Sequence, residues 1–223
     1  MGNYIWSDPP SHTAYPVAKA GYPFIFAAVL TTFVFALLQL TVLALVGLAA
    51  TFFICYFFRD PDRVIPNSDG AVVSPADGKI ILAGPVENSP FFNDKGIKIS
   101  IFMSVFNVHV NRIPYEGIIK TVSYHPGKFI PANLDKASRH NEHNAVGLET
   151  DQGKQIVFVQ IAGLIARRII CKVREGDKVV RGQRFGMICF GSRLDVYLPL
   201  DTNLQVRVGD RVQAGTSILG DFA

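Results

Sequence analysis

The sequence is poor in cysteine and in charged residues. Three cysteines in 223 residues (Cys55, Cys171 and Cys189) are too few and too scattered for a disulfide framework or a zinc site, and we expect them to be reduced. Charged residues make up 18% of the chain, against about 25% in an ordinary soluble domain. Because 49% of the residues are hydrophobic, a disordered chain is excluded. The length allows one domain with an accessory segment, or two small domains.

Dense basic clusters are also lacking. The net charge is +4, from 22 Lys and Arg against 18 Asp and Glu. No run of basic residues with interleaved aromatics is present, so no nucleic acid partner is expected. A modest positive excess suits an anionic substrate or an anionic surface.

Charge is missing altogether from residues 20–58, a run of 39 residues between Lys19 and Arg59. One helix of this length would measure about 58 Å, whereas the hydrocarbon core of a bilayer is about 30 Å thick. We therefore predict that residues 20–58 are a membrane anchor after a tail of residues 1–19. Two short helices in a hairpin with a turn near residues 39–41 fit best, and one steeply tilted span stays open. The positive-inside rule predicts that the flanking cations face the cytoplasm.

Residues 59–223 have the pattern of a β domain. Short runs rich in β-branched and aromatic residues alternate with Gly, Pro, Asn and Asp, which is typical of a sandwich or barrel. The clearest predicted strands are 71–74, 79–83, 97–102, 118–124, 155–161 and 169–173.

An internal repeat organises the end of this domain. The pattern V-x-x-G-D-x-V-x-x-G occurs at residues 173–182 and again at 206–215, an offset of 33. In each copy a Gly-Asp turn, where glycine permits a positive φ, joins two short strands. The repeat resembles the hammerhead units of lipoyl and biotinyl carrier domains. The predicted fold is therefore mostly β, a barrel-sandwich hybrid with an N-terminal membrane-inserted α-helical hairpin.

A carrier function is disfavoured by the residues between the two copies. A carrier needs a lysine on the turn between its halves, and residues 184–199 contain none, while Lys136 lies before the first copy. A membrane-anchored adaptor would need coiled-coil heptads, which are absent. A carrier or adaptor module without chemistry stays as the alternative from another class.

Six short motifs, taken in order, resemble the phosphatidylserine decarboxylase family in its short bacterial form. The motifs are Phe-Phe-Arg-Asp-Pro (57–61), Ser-Pro-Ala-Asp-Gly (74–78), Phe-Asn-Val-His-Val-Asn-Arg-Ile-Pro (106–114), His-Pro-Gly-Lys-Phe (125–129), Asn-Glu-His-Asn (141–144) and Phe-Gly-Ser-Arg (190–193). The resemblance extends over nearly the whole chain. The resemblance implies conversion of phosphatidylserine to phosphatidylethanolamine and CO2. A related serine phospholipid is the alternative substrate.

The resemblance also implies a self-processing proenzyme. The chain would cut itself between Gly191 and Ser192 into a large β chain, 1–191, and a small α chain, 192–223. Ser192 would become a pyruvoyl group, the enzyme's cofactor, and no metal is expected. In this scheme Ser192 is the nucleophile, His109 is its base, and Asp77 orients the histidine.

Substrate would bind through a Schiff base on the pyruvoyl group, with His109 the first candidate for proton donor. Arg167, Arg168 and Lys128 are candidates to bind the lipid phosphate. Longer family members carry a second histidine where this chain has Arg112, which leaves His143 as a spare candidate. We further expect a homodimer at the bacterial inner membrane, with the catalytic domain facing the cytoplasm.

Overall fold

The computed structural model describes residues 4–5, 17–87, 89–92, 95–131, 140–164, 168–189 and 191–222. The chain divides into two compact units, Pro10–Asp62 and a larger unit of Met1–Pro9 with Arg63–Ala223. Candidate residues Arg167 and Lys136, together with Phe190 before the predicted cleavage site, lie outside the described residues.

The smaller unit is a pair of apolar helices. A 3₁₀ turn, Lys19–Gly21, leads into α1 (Tyr22–Leu37), and α2 (Thr41–Phe57) follows after a three-residue turn. Gln39 in this turn has a φ of 56°, and it is the one positive-φ residue other than glycine in the described chain. The ends of the pair meet, because Ala18 N donates to Phe58 O at 2.8 Å. The predicted hairpin turn near residues 39–41 is thus present. The two flanking cations, Lys19 and Arg59, lie at the same end of the helix pair.

The two helices contact each other through small residues. Thr32 Oγ1 and Thr51 Oγ1 lie 3.2 Å apart, and a Cβ on Gly47 would lie 2.7 Å from Thr32 Oγ1. Small residues that let backbones approach closely are typical of helix pairs in membranes. Among the described residues, one helix, Lys19–Leu37, has the length and mean hydropathy (1.9) of a membrane span, and only 6% of it is buried; Thr41–Phe57 is apolar but shorter.

The larger unit is built from strands, as the sequence predicts. Their bounds are β1 (Tyr4–Ile5), β2 (Ile65–Pro66), β3 (Ala71–Val73), β4 (Gly78–Val86), β5 (Gly96–Met103), β6 (Val110–Arg112), β7 (Gly117–His125), β8 (His143–Glu149), β9 (Gln155–Ala162), β10 (Ile169–Cys171), β11 (Lys178–Val179), β12 (Arg184–Ile188), β13 (Ser192–Leu198), β14 (Asn203–Leu204), β15 (Arg211–Val212) and β16 (Ile218–Asp221).

Eight of these strands form one antiparallel sheet in the order β11-β7-β8-β9-β13-β5-β4-β15. Side chains alternate between the two faces of a strand, and β13 shows the consequence. Leu194, Val196 and Leu198 belong to the main apolar core, whereas Tyr197 packs in a smaller cluster on the other face. The sheets β10-β12-β6 and β14-β16-β3 contribute Phe185, Ile188, Val72 and Leu219 to the main core.

The two copies of the repeat form the two edges of the eight-stranded sheet. Strand β11 pairs with β7 at one edge, and β15 pairs with β4 at the other. In both copies the aspartate of the turn accepts a 2.8 Å hydrogen bond from a backbone amide, Arg174 N to Asp177 and Arg207 N to Asp210. The repeated sequence therefore predicts repeated structure, and the mostly β, hammerhead-like fold with a helical hairpin is confirmed.

The face of the sheet opposite the main core carries a cavity of about 1130 Å³. Its wall includes an ionic group in which Asp195 contacts Arg193 at 2.6 Å and Lys98 at 2.9 Å. His125 and His143 stack beside it with ring centroids 4.8 Å apart.

Candidate active site

Ser192 is the first residue of β13 and lies between two neighbouring strands. Its register partners are Met103 on β5 and Ala162 on β9. The side chain is fully buried, and its Oγ donates to the Met103 Sδ atom at 3.2 Å. A thioether is a weak acceptor, so the Ser192 hydroxyl is held in the protein interior by a contact that is easily exchanged for a stronger one.

Gly191 gives the chain an unusual conformation immediately before Ser192. Its φ is +68°, in the left-handed region that L residues with a side chain rarely adopt. Among the residues that the structure describes, none has a heavy atom within 4 Å of the position that a Cβ would take. Glycine is therefore needed here for backbone conformation rather than for space.

His109 lies next to the segment that leads to Ser192. Its backbone carbonyl accepts a hydrogen bond from Ile188 N at 3.4 Å. The imidazole is fully buried, and its Nδ1 is 2.9 Å from the carbonyl oxygen of Asn107. Because a carbonyl only accepts hydrogen bonds, Nδ1 carries the proton in neutral imidazole, and Nε2 is the basic nitrogen. In this tautomer Nε2 can accept a proton, as a general base must.

Asp77 is buried, and its two carboxylate oxygens accept hydrogen bonds in different directions. Oδ2 accepts from Arg63 at 2.8 Å, and Oδ1 accepts from the backbone amide of Ala214 at 2.7 Å. Asp77 therefore links the start of β4 to the chain just after β15. The group beside Nδ1 of His109 is the backbone carbonyl of Asn107. Arg63 is a partner that the sequence did not indicate, since nothing in its surroundings marks it as different from other surface arginines.

Two of the candidate cations are exposed at the end of the sheet where Ser192 lies. The carbonyl of Arg168 accepts from Cys189 N at 3.1 Å, two residues before Gly191. Burial raises the pKa of the Cys189 thiol, and the nearby Arg168 charge opposes that rise. Lys128 forms a β-bridge with Asn141, whose Nδ2 donates at 2.7 Å to the carbonyl of Ala162, the register partner of Ser192.

The other two candidates are placed differently. Arg112 is buried, and its guanidinium donates to the Gly182 carbonyl at 2.8 Å, so it stabilises the turn that ends the first repeat. His143 pairs in register with Ile161, which in turn pairs with Arg193. Because neighbouring residues of a strand point to opposite faces, His143 and Arg193 share the cavity side of the sheet and Ser192 faces the main core.

Sequence reasoning missed a buried row of side-chain amides close to Ser192. Asn144 Nδ2 donates to Gln160 Oε1 at 3.3 Å, Gln160 Nε2 donates to Asn111 Oδ1 at 2.9 Å, and Asn111 Nδ2 lies 3.9 Å from Met103 Sδ. All three amides are buried in the main core. Asn144 and Asn111 fall within two of the motifs, but Gln160 lies in an apolar strand and carries no sequence signal.

Three features of the structure come together around Ser192. A left-handed glycine precedes it, a buried imidazole with a defined tautomer lies on the adjoining segment, and a buried amide ends beside it. Within the described ranges, no group of three or more His, Cys, Asp or Glu side chains is arranged to hold a metal ion.

Comparison with known proteins identifies the family. The family model described as phosphatidylserine decarboxylase matches residues 50–220. Curated relatives named "Phosphatidylserine decarboxylase proenzyme" include one from Syntrophus aciditrophicus, 52% identical over 92% of this chain and 97% of its own. Relatives of the same name from Desulfotalea psychrophila (49%, over 93% and 97%) and Rickettsia felis (50%, over 92% and 90%) are similar along their length as well. The chain therefore belongs to the phosphatidylserine decarboxylase family.

Proposed function

We propose that this chain is a pyruvoyl-dependent carboxy-lyase that converts phosphatidylserine to phosphatidylethanolamine and CO2. The observation that carries the proposal is the Gly191–Ser192 pair, a left-handed glycine followed by a buried serine, in a chain about half identical to named proenzymes. The carrier or adaptor alternative has no support from these relatives.

Maturation begins with the Ser192 hydroxyl. Its oxygen attacks the carbonyl carbon of Gly191, the new C–O bond forms, and the C–N bond between the two residues breaks, so the peptide becomes an ester. A hydroxyl is a weak nucleophile and needs a base. His109 takes this role through Nε2, because Nδ1 is committed to the Asn107 carbonyl. Asp77, held by Arg63 and the Ala214 amide, is the third member of this scheme, the group that orients His109.

Elimination of that ester releases residues 1–191 and leaves a dehydroalanine at position 192. Its imine tautomer reacts with water and loses ammonia, which leaves a ketone at the new N-terminus. The resulting pyruvoyl group supplies an electron sink for the loss of CO2, the service that pyridoxal phosphate provides in other decarboxylases. Residues 192–223 stay in place because β13 pairs along both sides, with β5 and β9.

The protein's own side chains bind the headgroup and supply a proton. Arg168 and Lys128 are exposed at the Ser192 end of the sheet and are the first candidates to contact the lipid phosphate. Arg167, which precedes Arg168 in the sequence, is a further candidate to contact the lipid phosphate. Arg112 and His143 are weaker candidates, since one is bound to the Gly182 carbonyl and the other faces the cavity. His109 is the first candidate to return a proton to the substrate carbon after CO2 leaves.

The helical hairpin would hold the catalytic domain at the membrane, where a diacyl substrate is located. Each CH2 group removed from the bilayer costs about 0.8 kcal/mol, so catalysis must occur at the membrane surface. We propose that residues 20–58 insert into the inner membrane with Lys19 and Arg59 on the cytoplasmic side. Helices α1 and α2 are each about 25 Å long at 1.5 Å per residue, which suits a hairpin that enters and leaves on one side. A homodimer also belongs to this proposal, because the family resemblance implies one and the sheet has edge strands, β11 and β15.

Two variants test the proposal against a matched control. Ser192→Ala should remain a single chain and release no CO2 from phosphatidylserine in detergent micelles. His109→Ala should accumulate as uncut precursor, and Ser123→Ala, an exposed serine on β7, should mature and react like the wild type. An uncut Ser192→Ala chain that still decarboxylates phosphatidylserine would overturn the proposal. Micelles of other serine phospholipids separate the alternative substrate from phosphatidylserine.

A further inference from the structure

The buried amides Asn144, Gln160 and Asn111 form one continuous row, which we call the amide ladder. It connects β8, β9 and β6 across the main core. Polar groups are costly to bury unless every one of them is hydrogen-bonded, and apolar side chains would fill such a space more cheaply. Gly186 leaves the room for it, because a Cβ there would lie 2.9 Å from Gln160 Nε2. A row of buried amides in an otherwise apolar core therefore indicates a role beyond packing.

The direction of the ladder is fixed by one backbone group. Gln160 Nε2 lies 3.3 Å from the carbonyl oxygen of Ile170, which can only accept a hydrogen bond. Nitrogen must therefore be on this side of the Gln160 amide, and its oxygen faces Asn144. The second Nε2 hydrogen then points to Asn111 Oδ1. As a consequence, Asn111 has its oxygen towards Gln160 and its NH2 group towards Met103.

The donor end of the ladder thus reaches the same sulfur atom as the reactive serine. Asn111 Nδ2 is 3.9 Å from Met103 Sδ, and Ser192 Oγ is 3.2 Å from it. Sulfur is a poor acceptor, so it satisfies neither donor strongly. Any better acceptor that forms at residue 191 or 192 during cleavage, such as an oxyanion, competes well for the Asn111 amide. Preoriented donors of this kind are among the larger contributions to acyl-transfer catalysis.

We propose that Asn111 is the hydrogen-bond donor that stabilises the negative charge developed in self-cleavage at Ser192, and that Gln160 and Asn144 are positioning residues that keep its NH2 group turned towards the serine. This inference rests on the proposed function, because it takes Gly191–Ser192 as the bond that is cut. It assigns the ladder a role in the reaction in addition to its role in packing.

The substitution Gln160→Glu tests the direction of the ladder. A protonated carboxyl still has one donor, whereas an ionised one has none. On ionisation the amide of Asn111 must turn its NH2 group towards the new carboxylate, which leaves its oxygen facing Ser192. Burial raises the pKa of an introduced carboxyl, so both forms are reached between pH 6 and 9. Two titratable groups adjoin the ladder in the described part of the chain: Cys171, which contacts Asn144 and whose pKa burial raises, and His109, two residues before Asn111.

Self-cleavage is followed on gels after cell-free synthesis of the full chain in detergent and a jump to each pH. The wild-type rate should rise with pH and then level off, since the base must be unprotonated. The Gln160→Glu rate should instead pass through a maximum and fall by about tenfold or more at high pH, within the range for loss of one such donor. Gln155→Glu, at the exposed far end of the same strand, adds the same charge and should follow the wild type.

The outcomes separate this inference from the proposed function. A Gln160→Glu chain with the wild-type pH profile, or one slowed equally at every pH, would show that the ladder is structural only. Failure of the wild type to cut at Gly191 would instead overturn the proposed function. If Gln160→Glu gives no folded precursor by thermal melting, Asn144→Asp, at the outer end of the ladder, should show the same fall at high pH with a smaller amplitude. A flat profile for Asn144→Asp would then contradict the inference.

Discussion

Replacement of Gly191 by alanine isolates the backbone conformation of the reactive bond. Gly191 has a φ of +68°, and no atom of the described residues lies within 4 Å of a Cβ placed there. The penalty expected for alanine is therefore conformational, roughly 1–2 kcal/mol for an L residue in the left-handed region. If the chain escapes this strain by leaving the left-handed conformation, the population able to react falls about 5- to 30-fold. Self-cleavage of Gly191→Ala should slow by that factor.

Gly153 provides a matched control. Its φ is +76°, a Cβ there also has no neighbour within 4 Å, and it lies in the β8–β9 turn, at the end of β9 away from Ala162. Gly153→Ala should lose a similar free energy of unfolding in urea and cleave at the wild-type rate. Gly191→Asn should recover part of the rate, because asparagine tolerates this conformation better than alanine. Wild-type cleavage by Gly191→Ala would refute the argument that the reactive bond depends on a left-handed residue.

Three other results are expected. Arg168→Ala should raise KM for phosphatidylserine in mixed micelles several-fold, with little change in kcat or in self-cleavage. A several-fold fall in kcat with unchanged KM would contradict a binding role. Because burial raises the pKa of Cys189, its thiolate forms at higher pH than that of a free thiol, so alkylation of the folded chain at pH 8 should be slower than that of free cysteine. Arg168→Ala should slow that alkylation further, and an unchanged rate would contradict the electrostatic contact. Gly47→Leu should separate the two helices, because its side chain would overlap Thr32; disulfide cross-linking of cysteines introduced on the facing helix surfaces should weaken, with Gly47→Ala intermediate.

Patterns of local sequence predicted most of the fold. Each of the six predicted runs contains a strand, with ends that differ by a few residues: the run at 79–83 extends to Gly78–Val86, and 97–102 extends to Gly96–Met103. In each repeat copy, only the strand after the Gly-Asp turn is present, as β11 and β15. Strand pairing continues past the β-branched residues because neighbouring strands supply partners for the backbone, and local composition does not contain that information. The hairpin turn was predictable because the uncharged run is too long for one span, and the repeat because its Gly-Asp pairs recur at an offset of 33.

The site was predictable only where a motif marks a residue. Ser192, Gly191, His109 and Asp77 came from resemblance, but their contacts came from the fold. The register of β13 decides that Ser192 faces the core and Arg193 the cavity, and a shift of one residue would reverse both. Gln160 shows the same limit. Its proposed role depends on hydrogen bonds to Ile170 and Asn111, which the sequence around Gln160 does not reveal.

Intact mass spectrometry of the purified full-length chain tests the central claim most directly. Two masses are expected, one for residues 1–191 and one for residues 192–223, with the smaller chain lighter than its serine form by one ammonia and blocked to N-terminal sequencing. A single unprocessed mass in a sample that decarboxylates phosphatidylserine would contradict self-cleavage at Ser192, as would a cut at any other bond.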